Sequence, residues 1–254
     1  MRRYHVAGLA VAPVKALGLS HPEALRLDAR GAAGDRRFAV VGPGAKPVSI
    51  QRWPGLLRVS AHTDAEATRL RLGFPDGAVV EAPVEPGPPV TMRTWRRELR
   101  GTRVAGPWDA ALRGYLDAEV RLVRLDEPAV DDADVSLAGC GSVEALAAAT
   151  GDPPAVTAGR FRSTVLVAGT EPHEEDAWVG RRLQVGEAVV SVREPIARCA
   201  VTCHHPTRGV RDRNTLRVLE RERGLSPRRT LDFGVYASVE APGTVRVGDA
   251  VTLV

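Results

Sequence analysis

Apolar and polar residues alternate with period two over several short stretches of the chain, with turn-forming residues between them. Residues 4–11, 24–28, 37–42, 56–62, 70–73, 78–82 and 89–93 are expected to be strands on this pattern. Thr68-Arg69-Leu70-Arg71-Leu72 shows it most plainly, as a strand with one buried and one wet face requires. Gly42-Pro43-Gly44 and Pro75-Asp76-Gly77 mark turns, and the Pro/Gly-rich stretch 83–89 reads as a loop. Residues 119–125 alternate again.

Helical spacing is rarer. Trp108, Ala111, Leu112 and Leu116 follow Pro107 at that spacing and predict a short helix over 108–116. Ser142 stands where an N-cap would, ahead of an alanine-rich helix over 143–149 that Thr150-Gly151-Asp152-Pro153-Pro154 ends. Residues 164–168 suit a buried strand, and 183–192 a longer one in which Gly186 marks a hairpin or bulge. A basic helix over 216–223 stops at Gly224. The chain closes with strands over 233–240 and 250–254, separated by a turn at Pro242-Gly243. The reading is mainly β with a few helices (α+β), and many short antiparallel strands imply a barrel or sandwich. The acidic stretch 126–134 is the best candidate linker.

Composition narrows the function classes. The 254 residues suffice for two modest domains, and 4% aromatic content leaves the core to Val, Leu and Ala. The net charge of +4 rests on arginine, since Lys15 and Lys46 are the lysines. A bias toward Arg, Ala, Gly, Val and Pro explains this, as does an anionic partner suited to the planar guanidinium fork. No basic run interleaved with aromatics points to nucleic acid. No apolar run approaches the ~20 residues that span a bilayer. Two arginines at positions 2 and 3 precede an apolar stretch, but His5 and Gly8 interrupt it and Lys15 closes it, so a secretory leader is not expected. Three cysteines, Cys140, Cys199 and Cys203, make no disulfide framework and suit a reducing, cytoplasmic setting. They cannot supply four iron–sulfur ligands either, so redox chemistry would draw electrons from elsewhere.

The most informative stretch runs from Arg160 to Thr202. It sets Arg160 and Arg162 before a buried strand and delivers Arg198 and Cys199 at the end of another. A guanidinium beside a cysteine favours the thiolate, which is both nucleophile and soft-metal ligand. A buried structural cysteine fits the same residues.

The run RFRxxxxVxG…EDxWxGxxLxxG…RCxxT resembles the signature of MOSC domains, and the ending FGVYASVEAPGTVRVGDAVTLV is similar to that family's closing strands. Upstream, APVKALG, GDRRFAVV and Gln51-Arg52-Trp53-Pro54 resemble the β-barrel domain that precedes many MOSC domains. Ser136-Leu137 with Ser142 is similar to the junction before the first MOSC helix. The resemblance covers essentially the whole chain in order. It implies an N-terminal β-barrel domain over 1–125 and a MOSC β-barrel domain over 133–254, with a molybdenum cofactor (Mo-molybdopterin) between them.

On the same resemblance Cys199 is the molybdenum ligand and catalytic residue. Lys15, Arg36 and Arg162 bind the pterin phosphate, Arg198 lies beside the dithiolene, and Ser142 and Thr164 are further cofactor contacts. The implied activity is reduction of N-hydroxylated small molecules, with electrons from a separate donor protein of ferredoxin or flavoprotein type. Sulfur transfer through a Cys199 persulfide and non-catalytic cofactor carriage are the alternatives. The family's RFRPN is Arg160-Phe161-Arg162-Ser163-Thr164 here, and Cys203-His204-His205-Pro206 replaces the usual segment after RCxxT.

Other clusters carry less. Cys199, Cys203, His204 and His205 offer four zinc-type ligands, yet so short a segment does not readily converge on one ion. Cys203 could be a second reactive thiol, and Cys140, between Gly139 and Gly141, a plain junction cysteine. His173-Glu174-Glu175-Asp176 reads as a structural turn, with Asp176 capping amides and Trp178 packed below. Ser136, Ser142 and His205 have no spacing that establishes a hydrolase triad.

Overall fold

The computed structural model describes residues 4–94 and 97–254; the arginines at positions 2 and 3 lie outside the described residues. The first half of the chain carries β1 (Tyr4–Leu9), β2 (Val14–Lys15), β3 (Ala24–Asp28), β4 (Gly31–Ala32), β5 (Phe38–Val41), β6 (Ser60–Thr63), β7 (Arg69–Gly73), β8 (Val79–Pro83), β9 (Glu85–Arg93) and β10 (Glu98–Ala105). Helix α1 (Trp108–Leu116) and β11 (Arg121–Leu125) follow. The second half holds β12 (Val135–Gly139), α2 (Cys140–Thr150), α3 (Pro154–Phe161), β13 (Val165–Ala168), β14 (Arg182–Val185) and β15 (Ala188–Ala197). It ends with α4 (Thr215–Arg223), β16 (Asp232–Ala241), β17 (Gly243–Arg246) and β18 (Ala250–Leu253).

Seven strands close a barrel in the order β1-β13-β12-β16-β15-β14-β18. Alternate residues point inward, so Val6, Leu9, Val135, Leu137, Val165, Val167, Val190, Val192, Val235 and Ala237 form one core. The period-two pattern in the sequence is the record of that packing. β1 is held on both sides, by β13 (His5 opposite Ala168) and by β18 (Tyr4 opposite Val251). β3 likewise pairs with β17, in a small sheet with β4. The rest of the first half forms the sheets β2-β5-β11-β10-β9 and β6-β7-β8. Phe38, Leu56, Leu70, Trp108 and Leu112 are the centre of its main core.

Several expectations are corrected. The loop expected over 83–89 lies largely within β9, which is tolerated because β9 is the edge of its sheet, where a proline leaves no ladder partner unpaired. A strand expected over 56–62 begins as a 3-10 turn, Pro54–Arg58, and only then extends into β6. The alanine-rich helix does end at Thr150, as expected, but Pro154 also opens a helix that was not expected, α3, since a proline at the first helical position gives up no intrahelical bond. Helix α2 begins at Cys140 with Gly139 at its cap, so Ser142 lies inside the helix and Cys140 is no junction-loop residue. The Thr170 hydroxyl accepts from the Gly141 amide at 3.1 Å and does part of the capping from another segment. Asp176 forms an ion pair with Arg223 rather than capping amides, while Trp178 packs in the barrel core as expected.

Candidate functional site

Lys15 ends β2, and Arg36 precedes β5, the strand that pairs in parallel with β2. Arg36 adopts a left-handed backbone (φ 48°), which a non-glycine residue holds only where its surroundings fix it. Its amide donates to the Ala12 carbonyl at 2.8 Å, and its carbonyl accepts from the Ala129 amide at 2.9 Å. Its guanidinium is ion-paired with Asp35, whose other oxygen accepts from the Ala12 amide at 2.7 Å. Asp35 is nearly fully buried and so locks Arg36 in place. Burial works against the Arg36 charge, but Asp35 and Asp131 outweigh it and hold the group above its ordinary range.

Arg162 also has a left-handed backbone (φ 54°), at the C-cap of α3. Its Nη2 donates to the Leu17 carbonyl at 2.7 Å, two residues past Lys15, while Nη1 is buried without a hydrogen-bond partner. Burial and the nearby Arg36 push its pKa down to about 9, against the pull of Asp35 and Asp131. Arg198 follows the end of β15. Its Nε and Nη1 donate to the carbonyls of Phe233 (2.8 Å) and Phe161 (3.0 Å), and Nη2 is buried without a partner. Burial pushes it down to about 10 against the charges of Tyr236, Cys199, Glu175 and Asp131.

Asp131 draws these cations into one cluster. Its Oδ1 accepts from Lys15 Nζ at 2.8 Å, and its charge acts on Arg36, Arg162 and Arg198. Burial would raise its pKa, but Lys15, Arg36 and Arg97 hold it below the usual carboxylate range. Tyr236, on β16, completes the group: burial and Asp131 push its phenol up to about 12, against Arg198 and Arg36. Beside it Gly234 (φ 71°) leaves room that a side chain would take, since a Cβ there would lie 2.6 Å from the Leu137 carbonyl and 3.3 Å from Arg198 Nη2. Asp35, Asp131 and Tyr236 were not singled out from sequence. The aspartate after Gly34 in GDRR was the available signal for Asp35; Asp131 and Tyr236 carried none.

Cys199 is exposed, one residue from Arg198, at the cap of the 3-10 turn Ala200–Cys203. Its carbonyl accepts from the Thr202 amide (3.2 Å) and hydroxyl (3.0 Å), which fixes the backbone under the thiol. Thr164 and Ser142 have their hydroxyls engaged. Thr164 Oγ1 accepts from the Ser136 amide at 3.2 Å, tying β12 to the segment after Arg162. Ser142 Oγ donates to Glu175 at 2.7 Å and accepts from the His173 amide at 2.7 Å. Cys203 is fully buried, and the Nδ1 atoms of His204 and His205 face local backbone groups. Among the described residues, no three His, Cys, Asp or Glu side chains assemble a metal site. No helix of the described residues is long and apolar enough to cross a membrane.

The arrangement is thus a half-buried cluster of four cations with two unpartnered guanidinium nitrogens, next to an exposed thiol. With Arg36 paired to Asp35 and Lys15 to Asp131, the two unpartnered nitrogens, Arg162 Nη1 and Arg198 Nη2, are donors that an anion could engage through charge-assisted hydrogen bonds. The chain matches the model of the MOSC domain over residues 126–252 and that of the MOSC N-terminal beta barrel domain over residues 3–116. It is 31% identical over 105 residues to the protein named mitochondrial amidoxime-reducing component 1 of Mus musculus, a match covering 39% of this chain and 30% of that protein. It is 37% identical over 99 residues to mitochondrial amidoxime reducing component 2 of Homo sapiens, covering 36% and 29%. It is 32% identical over 79 residues to molybdenum cofactor sulfurase 2 of Culex quinquefasciatus, covering 31% and 10%. The matches span about a third or less of these relatives' lengths.

Proposed function

The chain belongs to the MOSC family, with that family's N-terminal beta barrel domain ahead of the MOSC domain, and on that premise we propose that it is a molybdenum-cofactor oxidoreductase. One observation carries the reading: Arg162 Nη1 and Arg198 Nη2 are buried without partners, in a cation cluster adjoining Cys199. The donor set fits a molybdenum–pterin. Its phosphate calls for the charge-assisted donors that Lys15, Arg36 and Arg162 offer, and its metal suits a thiolate. Arg198 would stand beside the dithiolene, and Cys199 would ligate the metal. Ser142 and Thr164 would support the site from behind, Thr164 by pinning the segment after Arg162 to Ser136.

When bound, the cofactor supplies two-electron redox chemistry. The chain's own residues hold and orient. Asp35 fixes Arg36, and the Leu17 carbonyl fixes Arg162. Tyr236, with its pKa at about 12, keeps its proton at neutral pH and can donate a neutral hydrogen bond beside Arg198. The substrate class we assign is N-hydroxylated small molecules, in keeping with the names of the amidoxime-reducing relatives. Two electrons and two protons cleave the N–O bond to give the N–H product and water. The electrons come from a separate donor protein of ferredoxin or flavoprotein type.

The test is molybdenum analysis of protein from a cofactor-making host, together with turnover of an aryl amidoxime using reduced viologen as donor. Near-stoichiometric metal and amidine formation, both lost in Cys199→Ala, would support the proposal. Bound metal without turnover would reduce the protein to a cofactor carrier. The exposure of Cys199 favours one second reading, a sulfur carrier. A persulfide on Cys199 in protein free of molybdenum, seen as a one-sulfur mass increase, would favour that over the first.

A further inference from the structure

A second concentration of positive charge lies away from Cys199. Four arginines, Arg26 on β3, Arg30 after it, Arg37 before β5 and Arg124 on β11, line a cleft of about 520 Å³. Elsewhere arginines are commonly paired, Arg69 with Glu81, Arg160 with Asp152 and Asp212, Arg182 with Glu240. Among the described residues, none of these four has a carboxylate within 4.0 Å of a guanidinium nitrogen. Two acidic residues line the same cleft without neutralising it. Asp28 accepts from the Arg30 backbone amide at 2.7 Å, and Glu66 offers Arg124 its main-chain carbonyl at 3.0 Å.

The guanidiniums are also short of neutral partners. Arg37 Nη2 reaches the Leu125 carbonyl only at 3.5 Å, and the Nε atoms of Arg37 and Arg124 are buried with no hydrogen-bond partner. Burial, then Arg124 and Arg30, lower the proton affinity of Arg37 against Asp28 and Asp126. Four like charges held along one cleft repel one another, and a bound anion would offset that repulsion.

We propose that this cleft is a binding site for a phosphate-bearing small molecule, whose phosphoryl oxygens the arginine forks take two at a time. The volume suits a nucleotide-sized ligand rather than a lone ion. The site is separate from the cation cluster around Asp131. Pro128 lines the cleft, whereas the Ala129 carbonyl and Asp131 accept from Lys15, and none of Lys15, Arg36, Arg162 and Arg198 lines it.

Calorimetric titration of the chain as purified, with inorganic pyrophosphate and in parallel with ADP, tests the proposal. Saturable pyrophosphate binding is expected, weakened about tenfold or more in Arg30→Gln/Arg124→Gln, as loss of charge-assisted contacts implies. Arg162→Gln, in the other cluster, should leave that binding in place. Tighter binding of ADP would identify a nucleotide as the ligand, and equal binding a phosphoryl group alone. The proposal is overturned by no saturable binding, by binding that survives the double variant in a folded protein, or by binding that Arg162→Gln abolishes. An unfolded double variant would be replaced by Arg30→Gln alone, whose exposed side chain carries no packing, with the same outcomes.

Discussion

Lys15 Nζ donates a 2.8 Å hydrogen bond to Asp131 Oδ1, from a residue 116 positions away in the chain. The carboxylate therefore stands where the cation cluster would meet an external anion. Asp131→Asn is expected to slow dissociation of the cofactor several-fold, measured as molybdenum and pterin retained on dilution. Its effect on the ligand-free fold is opposite. A carboxylate held below its ordinary range stabilises the fold above its unfolded pKa of about 4, and that contribution is lost as pH falls through the folded value. Melting curves of wild type and variant should therefore converge at low pH. Unchanged dissociation would place Asp131 outside the cofactor's reach.

Cys199→Ala should leave the melting temperature almost unchanged, because the thiol is exposed and fills no core space. Molybdenum content should fall to background. Full occupancy in this variant would remove Cys199 from the ligand set.

Arg162 poses a trade-off. Burial pushes its pKa down to about 9, so between that value and the ordinary guanidinium range the unfolded chain binds a proton that the folded one does not. Stability contributed by this group rises with pH in that window, and at neutral pH its charge is a burden on the ligand-free fold. Arg162→Met should accordingly melt no lower without cofactor. Cofactor retention should fall roughly ten- to a hundredfold, from the loss of a charge-assisted contact worth about 1.5–3 kcal/mol. A drop of several degrees in the ligand-free variant would show that the bond to Leu17 outweighs the buried charge.

Ser142→Ala removes the hydroxyl that donates to the fully buried Glu175 and accepts from His173. A cost of about 1–3 kcal/mol in chemical denaturation is expected for a buried polar group left short of a partner. Molybdenum content per folded molecule should stay near the wild-type value if the role is support. A folded variant that loses the metal would instead make Ser142 a direct contact.

The strands were legible where one face is buried and the other wet, as in β3 and β7, since alternation is the direct imprint of that environment. β10 escaped notice because Gly101 breaks its apolar face: a Cβ there would lie 2.1 Å from the Arg124 carbonyl, so close strand packing excludes the larger residue that would have signalled a strand. The prolines of β9 hid the first part of a strand whose remainder, 89–93, was legible, since only its place at the sheet edge admits them.

At the candidate site, the residues that stood out were those in local motifs, Lys15, Arg36, Arg162, Arg198 and Cys199. Asp131 did not, because it sits in an acidic run read as a linker, and only the fold shows that run lying across the cations. Tyr236 was lost in an apolar strand, where a tyrosine usually serves packing.

The strand Tyr4–Leu9 is bonded to β13 and β18, so the first and last described strands of the chain are neighbours. The barrel can close only after β18 has been made, with β1 waiting while all the strands between them are formed. Such long-range pairing makes for slow folding and leaves two raw strand edges exposed in the interval. It also means that a protease cut within 126–134 would not part the halves: the N-terminal fragment carries a stave of the barrel and its β3 pairs with β17, so the nicked molecule would stay together until it unfolds.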